Sequence, residues 1–141
     1  MISAQYVSDQ TARALEEDVA TGDITARLIE ESAQASARII TREDGVLCGM
    51  AFVNETFRQV DSSCQLTWQA SDGDAIMADS LLCRIAGPAR ALLTAERTAL
   101  NFLQLLSGTA STAAHYAARV AHTRVTLLDT RKTIPGPLMR R

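Results

Sequence analysis

The charged residues near the end of the chain, in the stretch LLDTRKTIPG, could bind an acidic ligand. Thr130, Arg131 and Lys132 follow an apolar run that stops at Leu128, and Lys132 is the only lysine of the sequence. A guanidinium fork beside a compact ammonium group suits carboxylates and phosphates. The alternative is a charged pair on a solvent-exposed loop, and the pair taken by itself favours that alternative.

A second set of charged residues lies in a long helical pattern that starts at Ala89. At about 100° per residue, Glu96 falls among the apolar positions and Arg97 on the opposite, polar side. Glu96 among apolar neighbours must either find a partner or be protonated. The alternative is that it lies in the first helical turn, where the dipole and the free N–H groups favour an acid. Both possibilities stay open, and Arg97 alone would be an ordinary surface arginine.

An acidic run, Glu16, Glu17 and Asp18, ends the first predicted helix. Acids at a helix C-terminus oppose the helix dipole. A solvated surface explains the run most simply, and a functional role is the alternative.

The composition excludes several classes of partner. A net charge of -2 gives no reason to expect nucleic acid or an anionic membrane. No apolar run approaches the roughly 20 residues of a membrane span, and the N-terminus lacks the pattern of a signal peptide. The three cysteines have no metal-type spacing, which indicates reduced core thiols. We therefore expect a soluble, cytoplasmic protein whose own sequence predicts no metal site.

The hydrophobic pattern predicts helices alternating with short strands. We predict helices over 5–19, 50–60, 89–108 and 109–121, a short turn over 25–28 capped by Asp23, and strands over 33–42, 46–48, 64–68, 81–85, 125–128 and around Ile76. Asp44-Gly45 is expected to join the strands 33–42 and 46–48 as a hairpin. Gly108 is expected to end one helix before the next begins.

Several segments together resemble one enzyme family, quinolinate phosphoribosyltransferase, also called nicotinate-nucleotide pyrophosphorylase (carboxylating). They are EEDVATGDIT (16–25), ITREDGVLCG (40–49), GPARALLTAERTALNFLQLLSGTAS (87–111) and LLDTRKTIPG (127–136). Their order and spacing fit the family, and the resemblance covers almost the whole chain.

The resemblance implies an α+β N-terminal domain with a hammerhead-like sheet, followed by the first strand of an α/β barrel. Residues 1–108 would form the N-terminal domain, and 109–141 a helix and the first barrel strand. The family couples quinolinate to phosphoribosyl pyrophosphate and releases nicotinate mononucleotide, pyrophosphate and carbon dioxide. It implies Mg²⁺ with the pyrophosphate, and at least a homodimer whose sites borrow residues from the neighbouring subunit.

The resemblance also assigns residues one by one. Thr130, Arg131 and Lys132 match the family's substrate-binding Thr-Arg-Lys. Arg97 matches the arginine that reaches into the partner's site. No residue is assigned as a catalytic acid or base, and fixed positive charge that stabilises the breaking glycosidic bond is the better-supported role.

The chain departs from the family pattern after Gly136, where Pro137 replaces the start of the expected helix. Because most barrel strands would lie beyond residue 141, we expect a truncated chain that is inactive by itself. Apolar surface over 89–121 should then cause self-association. The alternative function is a non-catalytic carrier or interaction module, since residues 73–85 resemble the hammerhead modules of biotinyl and lipoyl carriers. The carrier lysine has no counterpart in that segment.

Overall fold

The computed structural model describes residues 2–19 and 26–128, without the side chain of Arg27. The α+β class is confirmed, because a small sheet packs with three helices. The helices are α1 (Ala4–Val19), α2 (Met50–Val60) and α3 (Ala89–Val120), and Ala26–Leu28 form one 3₁₀ turn. The strands are β1 (Gln34–Ile40), β2 (Gly45–Val46), β3 (Gln65–Trp68), β4 (Ala75–Ile76) and β5 (Leu81–Pro88). None of these helices is long and apolar enough to cross a membrane.

The strand β5 is the centre of an antiparallel sheet with the order β1-β5-β3. Ile85 faces Ala37 of β1 on one side and Leu66 of β3 on the other. Gly87 allows Cys64, the residue before β3, to approach closely, because a Cβ at position 87 would lie 2.9 Å from the Sγ atom of Cys64. The sheet therefore brings together residues that are distant in the chain, and α3 packs against it.

The predicted hairpin between 33–42 and 46–48 is wrong. β1 pairs with β5, whereas β2 forms a separate two-stranded sheet with β4. The reason lies in the backbone donor of Val46, which bonds the hydroxyl of Ser111 on α3 at 2.8 Å. The Ser107 hydroxyl likewise binds both backbone groups of Cys48 at 3.0 Å. These contacts hold β2 against α3 and away from β1.

The helix α3 closes the core over the sheet and against α2. Its inward stripe contains Leu92, Ala95, Ala99 and Leu103, each no more than 7% exposed. Phe52 of α2 stacks on Phe102 with ring centroids 4.7 Å apart. The core is thus built on the apolar periodicity that the sequence shows from Ala89 onward.

The expected helix break at Gly108 is also wrong, because α3 runs without interruption to Val120. A glycine inside a helix costs only about 1 kcal/mol relative to alanine, which good helix formers on both sides outweigh. Gly108 is therefore a residue of the helix interior. The division of the chain into two domains at this position stays a prediction.

The predicted strand Val125–Leu128 is not a strand in the structure. Its apolar side chains are exposed, with Leu128 at 86%. A strand needs a neighbour to bond its backbone groups, and none of the described strands pairs with this segment. The first barrel strand is therefore not confirmed.

Candidate functional site

Arg97 is the predicted site residue that the structure places. It lies in the third turn of α3, and its side chain is 75% exposed. The neighbouring Thr98 is only 3% exposed and faces the core. The apolar stripe of α3 thus holds the helix in place and directs Arg97 outward.

The carboxylate of Asp18, in the last turn of α1, joins both residues to α1. Arg97 Nη1 donates to Asp18 Oδ1 at 3.1 Å, forming an ion pair. Thr98 Oγ1 donates to Asp18 Oδ2, also at 3.1 Å. The carboxylate is 21% exposed, so it is partly shielded from water while the guanidinium beside it is not.

A hollow of about 430 Å³ lies beside this ion pair, between α1 and α3. The residues that line it are Ala14, Glu17, Asp18, Arg97, Thr98, Asn101, Phe102 and Leu105. A more apolar groove of about 530 Å³ runs between β1 and α3, but Arg97 does not line it. The polar hollow is the candidate site because Arg97, the predicted site residue that the structure describes, lines it together with Asp18 and Glu17.

Thr130, Arg131 and Lys132 lie outside the described residues, as does Asp23. Whether the Thr-Arg-Lys triplet meets Arg97 stays a prediction. Within 2–19 and 26–128, no three His, Cys, Asp or Glu side chains come together in a way that could hold a metal ion.

Both alternatives for Glu96 are wrong. The helix starts at Ala89, so Glu96 lies beyond the first turn, and its side chain is exposed to solvent. The apolar stripe is narrower than the periodicity suggested, and Glu96 lies at its edge, where water solvates the carboxylate. The residue needs neither a buried partner nor the helix dipole.

Cys48, Cys64 and Cys83 are free thiols in the structure, and of the three Cys83 is buried whereas Cys48 and Cys64 are half-buried. Burial raises the pKa of the Cys83 thiol to about 11. A thiol that stays protonated at neutral pH is a poor nucleophile. Burial also raises the pKa of the Cys48 and Cys64 thiols, so none of the three is favoured as a nucleophile.

Asp18 and Thr98 are the site residues that sequence reasoning missed. The acidic run at the end of α1 was visible, but nothing in the sequence pairs position 18 with position 97. The available signal was energetic, because an acid at a helix C-terminus needs a compensating partner. Arg97 and Thr98 provide that compensation.

A family model described as "Quinolinate phosphoribosyl transferase, N-terminal domain" matches residues 23–107. A Bacillus subtilis protein named probable nicotinate-nucleotide pyrophosphorylase [carboxylating] is 34% identical over 120 residues, which are 85% of this chain and 42% of that protein. A Nicotiana glauca quinolinate phosphoribosyltransferase [decarboxylating] is 38% identical over 125 residues, covering 87% of this chain and 35% of that protein.

Solved structures agree with these sequence relatives. The nicotinate-nucleotide pyrophosphorylase from Francisella tularensis superposes with a TM-score of 0.92 at 43% identity, over 96% of this chain and 49% of that one. The NadC structure from Streptococcus pyogenes gives 0.90 at 36% identity, over 96% of this chain and 48% of that one. The chain spans less than half the length of these relatives. It belongs to the quinolinate phosphoribosyltransferase family and corresponds to the part of that family that includes the N-terminal domain.

Proposed function

We propose that this chain supplies the N-terminal part of an enzyme that makes nicotinate mononucleotide from quinolinate and phosphoribosyl pyrophosphate. The observation that carries the proposal is the family match over residues 23–107, which includes Arg97. In the proposed reaction the pyridine nitrogen bonds the anomeric carbon of ribose while the bond to pyrophosphate breaks. One ring carboxylate leaves as carbon dioxide, and a proton takes its place.

The charge of the substrates explains why arginine suits the site. Quinolinate is a dianion, and the second substrate carries several phosphate groups. Arg97 presents a guanidinium that is 75% exposed, so most of its donors are available to a carboxylate. Its role in the proposal is to bind and orient an anionic group, not to transfer a proton.

Thr130, Arg131 and Lys132 complete the proposed substrate site. A second guanidinium and the ammonium of Lys132 would hold further negative charge close to the bond that breaks. Mg²⁺ would accompany the pyrophosphate group, and the described residues offer it no ligand cluster. Its protein ligands are expected in the part of the family's fold that this chain does not cover.

We also propose that Arg97 serves the site of a second copy in a homodimer. Arg97 points away from its own core, and α3 exposes apolar side chains further along, including Leu105 at 62%. Exposed apolar surface next to a polar group is typical of a surface that meets another subunit. A cytoplasmic location belongs to the same proposal, since the three free cysteines suit a reducing compartment.

The alternative function as a carrier module finds no support in the described residues. The connection between β4 and β5 consists of Met77–Ser80, which contain no lysine to modify. An enzyme remains the function that the comparisons favour.

The test uses a chimaera in which this chain replaces the equivalent part of the Francisella tularensis relative. Formation of nicotinate mononucleotide is measured with both substrates, and the chain alone provides the baseline. Arg97→Ala and Lys132→Ala should each lower kcat/KM on the order of 100-fold. Arg119→Ala, which removes an exposed arginine near the end of the same helix, is the matched control and should leave kcat/KM unchanged. An active chimaera that tolerates both site substitutions would contradict the proposal.

Mixed subunits test the homodimer. When Arg97→Ala and Lys132→Ala chimaeras are produced together, about a quarter of all sites should combine two intact halves and regain activity. No recovery would show that Arg97 acts within its own subunit.

A further inference from the structure

We propose that Asp18 is a positioning residue that fixes the direction of the Arg97 guanidinium toward the anionic substrate. The inference rests on the function proposed above and adds a residue to its site. It assigns a role to Asp18 in the acidic run that ends α1, a residue that the function itself leaves unexplained.

The geometry around Asp18 is that of a two-point clamp. One carboxylate oxygen accepts from the hydroxyl of Thr98 and the other from Arg97, each at 3.1 Å. Thr98 is 3% exposed, so its hydroxyl anchors the carboxylate to the packed face of α3. With one oxygen anchored, the other offers Arg97 a fixed acceptor.

The clamp leaves most of the guanidinium free. An arginine side chain has five N–H donors, and the described contact engages Nη1. Because the side chain is 75% exposed, its remaining donors face solvent and can form a fork with a carboxylate. Holding one donor reduces the number of rotamers that a long, exposed side chain would otherwise sample.

A purely stabilising role explains this arrangement poorly. Exposed ion pairs contribute little to folding, and Asp18 occupies the helix end where the dipole disfavours an acid. A carboxylate also weakens the attraction of the site for anions, and the role that the proposal gives it is to orient Arg97. Preorganised charge lowers a barrier more than mobile charge does.

The experiment is a double-mutant cycle in the same chimaera, with substitutions at Asp18 and Arg97. Asp18→Ala should lower kcat/KM for quinolinate roughly tenfold when Arg97 is present and cause no further loss in the Arg97→Ala background. Asp18→Asn keeps a side-chain oxygen and should retain part of the activity. The matched control is Glu16→Ala, which removes an exposed acid from the same helix end and should change kcat/KM less than twofold.

The outcomes separate the two proposals. Equal loss of activity from Asp18→Ala in both backgrounds would show a structural role and overturn the inference. A damaging Arg97→Ala beside a harmless Asp18→Ala would also overturn it but leave the proposed function intact. A harmless Arg97→Ala would contradict the proposed role of Arg97 itself.

A second measurement does not depend on activity. Nuclear magnetic resonance relaxation of the Arg97 Nε–Hε group can be followed in the 141-residue chain. The group should become markedly more mobile in Asp18→Ala and stay unchanged in Glu16→Ala. Equal mobility in the wild-type chain and Asp18→Ala would overturn the inference even if every chimaera were inactive.

Discussion

The two halves of α3 share one continuous helical backbone but have different surroundings. From Ala89 to Leu103 the helix contributes all six of its buried residues, which are Ala91, Leu92, Ala95, Thr98, Ala99 and Leu103. From Gln104 to Val120 none of its residues is buried in the described structure, and Leu105 and Tyr116 are 62% and 57% exposed. The first half completes a core, whereas the second half presents a surface.

The change between the halves shows how the helix positions a site. Apolar packing ends near Leu103, and polar contacts of Ser107 and Ser111 with the β2 segment replace it. Arg97 lies within the packed half, so its backbone is held by the core while its side chain reaches solvent. Rigid support of this kind favours a precisely oriented charge.

The largest expected difference comes from truncating one leucine in each half. Leu103→Ala removes a side chain that is 4% exposed and should reduce the free energy of unfolding by about 2–5 kcal/mol. Leu105→Ala, two positions further on the same helix, should change it by less than about 0.5 kcal/mol because that side chain is already in water. Urea unfolding of the two variants gives the comparison. Similar losses would show that the second half is packed after all.

A smaller effect is expected where the two halves meet. Ser107→Ala leaves the N–H and carbonyl of Cys48 without their side-chain partner and should cost about 1–2 kcal/mol. The matched control is Thr109→Ala, because the exposed Thr109 hydroxyl donates to the Leu105 carbonyl of its own helix. Thermal unfolding should separate the two variants. Equal stability would mean that the Ser107 contact does not hold the segment after β2 against α3.

Local periodicity predicted much of this architecture. The helices near 5–19 and 50–60 were confirmed, because each packs one face into the core. The strand near 33–42 was also confirmed, although six of the seven residues of β1 are exposed, and its pairing with β5 holds it in place. Strand pairing could not be predicted from the sequence. The hairpin expected at Asp44-Gly45 does not form, because contacts with Ser107 and Ser111 hold this segment against α3. Those contacts span 59 and 65 positions, and no local pattern encodes them.

Only part of the candidate site could be predicted, because local patterns do not encode contacts between distant residues. Arg97 came from a motif that the family resemblance interprets, and the structure places it on an exposed surface. Its partner Asp18 lies 79 positions away, and only the packing of α1 against α3 brings the two together. A charged residue can be recognised locally, whereas the group that orients it depends on the tertiary fold.

Gly108 offers a stabilising substitution in the exposed half. A Cβ at this position would meet no atom within 4 Å, and the backbone is helical. Gly108→Ala should therefore increase the free energy of unfolding by about 0.5–1 kcal/mol, chiefly by restricting the unfolded chain. Chemical denaturation measures the gain. Destabilisation would instead support the helix break that the sequence suggested.

The smallest expected effect is a loss of stability at low pH in the helices that pack on the first half of α3. Glu55 on α2 accepts two hydrogen bonds from Arg58, both at 2.6 Å, and these lower its pKa from the usual 4.5 to about 2. Because the folded pKa is the lower one, the contribution is complete above pH 4.5 and is lost as the pH falls toward 2. Gln59 donates to Glu55 and also to the Ser8 carbonyl of α1, so protonation should loosen the contact between α1 and α2.

The loss should be only about 0.5 kcal/mol, because water screens an ion pair whose arginine is mostly exposed. Unfolding free energies of the wild-type chain and Glu55→Gln, measured at about pH 7 and about pH 2, should differ at the first pH and converge at the second. Hydrogen exchange at low pH should rise first in α1 and α2, which pack on the first half of α3. If hydrogen exchange rose only in Gln104–Val120, the acid-sensitive region would lie in the second half of α3, and the expected difference between the two halves would be wrong.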